Sequence, residues 1–72
     1  MTPAERRSYT NRVRGKLHRR SRLLTLEMIA ADTPLSFGWL KQFSRSAFDK
    51  PNVEMMMTLE RYLDQYEKRL SA

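Results

Sequence analysis

From Tyr9 to Leu70 the apolar residues recur at intervals of three and four, and no stretch alternates them with polar ones. That spacing gathers side chains on one side of an α-helix and cannot supply a one-sided strand, so the chain is committed to packed helices. At 72 residues it is expected to be a single domain, 1–72. A chain of this size buries only about 60% of its unfolded surface, which leaves a small core and favours association with a partner. Cysteine is absent and His18 is the single histidine, so neither a disulfide framework nor a zinc site built on neighbouring ligands is available. No metal, other cofactor or small-molecule ligand is expected.

Thr2-Pro3-Ala4-Glu5 sets a hydroxyl cap, a proline at the first helical position and a glutamate three residues after the cap, the marks of a helix start. Tyr9, Val13 and Leu17 form a narrow stripe on this first helix, and Gly15 interrupts it at a cost of about 1 kcal/mol, so fraying or a later start is expected. Thr25 caps a short second helix with Leu26, Ile29 and Ala30 on one face. Pro34 pushes Thr33 out of the α region, so that helix stops by about Asp32. Ser36 then caps a third helix over about 37–45. Its Trp39, Leu40 and Phe43 share one arc, and Gly38, Lys41, Gln42 and Arg45 share the opposite one. Trp39 sits near the edge of the packing arc, where its indole N–H needs a partner or water.

Ser46, Asp49, Pro51 and Asn52 mark a turn, and Asn52 caps a last helix from Val53 to about Arg69. In it Met55, Met56, Leu59, Tyr62, Leu63, Tyr66 and Leu70 form a core-facing stripe opposite Glu54, Arg61, Asp64, Gln65 and Lys68. The expected fold is all-α, a bundle of four to five small helices. Internal repeats and low-complexity segments are absent.

Charge is concentrated at the start. Residues 1–24 hold eight bases against one acid, a net of +7, and residues 25–72 hold six bases against seven acids, a net of −1. A basic helix or arm over about 1–22 attracts polyanions, either nucleic-acid phosphate or an anionic lipid surface.

Two short helices joined by a tight turn, with small Ala30 at their crossing and a polar outward face on the second, describe a helix-turn-helix. The stretch from Thr25 to Phe43 resembles the DNA-binding motif of the phage Cro and lambda-repressor class, the Xre-type family. Ala30 matches the small residue of the first helix, Leu35 the apolar turn residue, Ser36 the polar cap, and Leu40 and Phe43 the buried positions of the recognition helix. Pro51-Asn52-Val53 leading into Leu59 and Leu63 resembles the helix that follows, so the resemblance covers about residues 12–66. Two positions depart from the family. Pro34 stands where a glycine of positive φ is usual, so the turn differs in detail, and Arg45-Ser46 replaces the glycine after the recognition helix.

The motif implies a sequence-specific regulator of transcription that inserts the helix over 37–45 into the major groove of an operator. Gln suits adenine, and Lys or Arg suits guanine O6 and N7. The candidate base-reading residues are therefore Phe37, Gly38, Lys41, Gln42 and Arg45, with Phe37 able to touch a thymine methyl and Gly38 allowing close backbone approach. Ser36, Arg12, Arg14, Lys16, Arg19 and Lys50 are the candidate phosphate contacts, and His18 is expected to be exposed or near phosphate. By the resemblance the protein binds double-stranded DNA as a homodimer, and the end of the last helix's stripe, Tyr62, Tyr66 and Leu70, is the candidate dimer surface. The implied setting is a phage, prophage or plasmid repressor in the bacterial cytoplasm, associated with the nucleoid.

The competing class is a helical interaction module, antitoxin-like or adaptor-like, whose basic segment binds an acidic protein. Binding to a membrane surface is a third possibility, for which the stripe of Tyr9, Val13 and Leu17 is thin. No apolar run approaches the roughly 18 residues of a membrane span, and no secretory signal is recognisable. Without a glycine-rich phosphate loop or a nucleophile-base set, no enzymatic activity is expected.

Overall fold

Every helix begins where a short polar side chain takes up a free backbone amide. In the computed structural model, which describes residues 2–46 and 51–71, Thr2 Oγ1 accepts from Glu5 N at 3.1 Å and Thr25 Oγ1 from Met28 N at 3.2 Å. Ser36 Oγ accepts from Trp39 N at 3.0 Å, and Asn52 Oδ1 from Met55 N at 3.1 Å. Each such cap contributes about 1 kcal/mol. The helices they open are α1 (Pro3–His18), α2 (Leu26–Asp32), α3 (Phe37–Ser44) and α4 (Val53–Ser71). Among the described residues the fold is all-helical, with four helices and no strand. None of these helices is long and apolar enough to cross a membrane.

Gly15 neither frays nor delays α1, which runs unbroken from Pro3. Its stripe is held from outside by packing, and tertiary burial outweighs the roughly 1 kcal/mol that glycine costs. The third helix ends one residue before the expected boundary, and α4 runs two residues past it.

Thr33 leaves α2 in extended backbone, φ −129° and ψ 164°, as a residue before proline must. Its N–H and its hydroxyl both donate to Ile29 O, at 3.0 and 2.7 Å, and Leu35 N donates to Thr33 Oγ1 at 3.3 Å. Threonine thus closes the end of α2 and starts the next segment without any positive φ. Pro34 is compatible with this turn because the turn does not use the conformation that glycine supplies. The left-handed conformation occurs instead at Ser46, φ 61°, directly after α3. There Ser46 N donates to Phe43 O at 3.1 Å, closing the carboxyl end of the helix.

Val13 and Leu17 of α1, Ile29 of α2, Leu40 and Phe43 of α3, and Met56, Leu59 and Leu63 of α4 form one buried core, sealed by Leu24 and Leu35 from the connections. Each such side chain contributes about 1.5–3 kcal/mol by leaving water. Helix α1 packs on α4 and α3, and α2 packs on α3. As a result α3 is fixed on one side and free on the other.

Candidate nucleic-acid interface

Helix α3 divides cleanly. Leu40 and Phe43 are fully buried, and Trp39 is half-buried and stacks on Phe43 with ring centroids 5.0 Å apart and planes 6° apart. Gly38, Lys41, Gln42 and Arg45 are all exposed, and Phe37 at the border is 43% exposed. At about 100° per residue these five span roughly 140° of the helix surface. The structure therefore brings all the sequence-predicted base-reading residues onto one solvent face, next to the Ser36 cap.

Two features of this face have no internal explanation. A Cβ at Gly38 would meet nothing within 4 Å, so the core does not require glycine there, although glycine in a helix costs up to about 1 kcal/mol relative to alanine. Helices α1, α2 and α4 each carry an acid in the first turn, Glu5, Glu27 and Glu54, where it suits the positive end of the helix dipole, whereas α3 carries none. The Ser36 oxygen is used by Trp39 N, which leaves its hydroxyl proton available for an outside acceptor.

The basic residues of α1 separate into two flanks. On the α4 side, Lys16 Nζ donates to Glu60 Oε2 at 3.0 Å and to Asp64 Oδ1 at 2.9 Å, and Arg12 Nε lies 3.3 Å from Glu60 Oε2. Tyr9 adds its hydroxyl, donating to Glu60 Oε1 at 3.1 Å. Burial pushes the Glu60 carboxyl up, but the bonds from Lys16 and Tyr9 outweigh it and hold the group below its ordinary value. The same bonds to Asp64 and Glu60 raise Lys16, and burial with the Glu60 bond raises Tyr9. Lys16, a candidate phosphate contact, is engaged with carboxylates of its own chain, and Asp64, expected to face solvent, is half-buried beside it.

On the α3 side, Arg14 Nε donates to Phe43 O at 2.9 Å, and its guanidinium lies 4.9 Å from the Phe43 ring centroid. His18 Nε2 donates to Ser44 O at 2.9 Å. Both cap the carboxyl end of α3: Arg14, a candidate phosphate contact, has its Nε engaged within the chain, and His18 is exposed as expected while its ring meets Ser44 O. Arg19 is exposed with its guanidinium lying over Gly15, and Arg12, although paired, keeps 60% of its side chain exposed. Arg20 is half-buried and fastens the α1–α2 connection, donating to Leu24 O and Leu17 O at 2.7 Å each. Lys50 lies outside the described residues.

The stripe on α4 is covered further than its sequence suggests. Tyr62 and Tyr66 pack against the chain's own core, and Tyr62 donates its hydroxyl to Asp32 Oδ2 of α2 at 2.7 Å. Burial and this bond raise the Tyr62 hydroxyl to about 12. Of the three candidate dimer residues, Leu70 alone is largely exposed, at 58%. Sequence reasoning also missed Leu24, buried to 1% in a connection with no helical period to flag it. The Ser21-Arg22-Leu23 run beside it, in which Leu23 N donates to Ser21 Oγ and Leu24 N to Ser21 O, held the available turn signal. No protein-family model, no curated protein and no solved structure matches the chain, so its function has to be argued from these residues.

Proposed function

We propose that this chain is a sequence-specific double-stranded DNA-binding regulator of transcription, in which α2, the four-residue turn Thr33 to Ser36 and α3 act as a helix-turn-helix. The observation that carries the reading is the exposed arc of Gly38, Lys41, Gln42 and Arg45 on a capped helix whose other side is buried. An α-helix fits the major groove, which is about 12 Å wide, and lysine, glutamine and arginine are the side chains that reach guanine and adenine edges there. The first helix of such a motif crosses the phosphate backbone, and its N-terminal partner supplies charge. The likeness to the Cro and lambda-repressor class belongs to this proposal, as does repression by operator occupancy.

The alternative, an acidic protein partner held by the basic segment, is weakened because Arg12 and Lys16 already face Glu60 and Asp64. Selection from a random double-stranded DNA library tests the choice, comparing wild type with a Lys41→Ala, Gln42→Ala double variant. An enriched motif that the double variant loses supports base reading by α3. Binding without enrichment, or a motif unaffected by the double substitution, refutes it. Half-sites recurring as an inverted repeat about 34 Å apart would report a dimer, and a solitary site a monomer.

A further inference from the structure

The carboxyl end of α3 is held from α1 by an arrangement that the base-reading proposal does not use. Arg14 reaches across from the middle of α1 and does two things at once: its Nε donates to Phe43 O at 2.9 Å and its guanidinium plane covers the Phe43 ring at 4.9 Å. Trp39 stacks on the same ring, with centroids 5.0 Å apart. Through the Phe43 ring, guanidinium and indole thus join α1 to both turns of α3. One turn further along α1, His18 donates to Ser44 O, the next carbonyl of the same helix end. The last carbonyls of a helix have no intrahelical donor, and a cation there also suits the negative end of the dipole.

We infer that Arg14, assisted by His18, is the positioning residue that sets the angle and depth at which α3 presents Lys41, Gln42 and Arg45. The inference rests on α3 being the base-reading helix. A short helix of about two turns has little intrinsic stability, and its pose is set by what grips it. The buried arc grips it through Leu40 and Phe43, which resist translation but, as apolar contacts, are non-directional. Arg14 adds the directional element, a planar group fixed simultaneously by a backbone oxygen and a ring face. Lysine carries the same charge but has neither the plane nor the Nε donor, so the substitution is not conservative here.

The test separates positioning from phosphate contact. Affinities of wild type, Arg14→Lys and Arg14→Gln are measured for the selected sequence and for a scrambled duplex across a salt series, at a temperature where circular dichroism shows each variant folded. Both variants should lose about tenfold in discrimination, the value of one good base contact, while affinity for the scrambled duplex stays within about twofold. Fluorescence of Trp39, the single tryptophan, should change in both as the guanidinium over its stacking partner Phe43 is lost. A phosphate contact predicts the reverse: Arg14→Lys retains discrimination, and Arg14→Gln lowers the salt slope by about 0.9 on both duplexes. That result overturns the inference and leaves the base-reading role of α3 intact. A wild type without sequence preference overturns both.

Discussion

Gly38→Ala should make the protein more stable and a poorer DNA binder. Gly38 is the second residue of α3, its φ is not positive, and the space a methyl group would occupy is empty to 4 Å. The substitution removes backbone freedom from the unfolded chain without strain in the folded one, a gain of about 0.4–1 kcal/mol. For a domain of this size 1 kcal/mol moves Tm by roughly 4–8 °C, so a rise of about 2–8 °C is expected in thermal melts followed by circular dichroism. In the proposed DNA complex the same methyl would lie between the helix backbone and the groove. Holding α3 away from neighbouring base edges costs the equivalent of one contact, about 1–3 kcal/mol, or roughly 5- to 150-fold in affinity for the selected sequence. Affinity for a scrambled duplex, set by phosphate charge, should change little. A variant that gains stability and binds the selected sequence as tightly as wild type refutes close approach at Gly38. One that loses stability refutes the open space from which the gain was calculated.

Ser36→Ala should lower stability by about 1 kcal/mol by freeing Trp39 N. Ser36→Asp should retain the cap and gain about 0.3–1 kcal/mol from the dipole while weakening DNA binding through repulsion of phosphate; unchanged binding by a stabilised Asp variant would count against phosphate at this end of α3. Ser46→Gly should stabilise by about 0.5–1 kcal/mol, because φ 61° strains an L-residue and not glycine, and a neutral or lower urea midpoint would contradict the left-handed assignment. Glu60→Gln should cost about 1–2 kcal/mol at pH 7 through its bonds to Lys16 and Tyr9. Since the Glu60 pKa is lowered on folding, its contribution is present above about 4.5 and lost as pH falls through the lower folded value, so wild type and variant should converge in acid. Tyr62, raised to about 12 by burial and Asp32, contributes stability that is present below 10 and declines as pH rises from 10 to 12. Tyr62→Phe should therefore flatten alkaline unfolding over that interval, and an unchanged curve would show that the Asp32 bond carries no weight.

Local grammar was legible in the chain because it is written in adjacent residues. Thr2, Thr25, Ser36 and Asn52 each announced a helix through a bond spanning three positions, Pro34 announced a break by acting on Thr33, and the arcs of α3 followed from periodicity alone. Where charges and aromatic rings would find partners was decided by tertiary structure. Lys16 is separated from Glu60 by 44 residues and from Asp64 by 48, Arg14 from Phe43 by 29, and Tyr62 from Asp32 by 30. A charge run in the sequence carries the same sum whichever way each side chain points, so it could not say that one flank of α1 meets carboxylates and the other the end of α3. Leu24 is the apolar counterpart: buried in a connection, it obeys no period, and only the assembled core gave it a place. Bonds within one turn follow from sequence, whereas long-range pairing depends on how the helices dock, and docking is a property of all four at once.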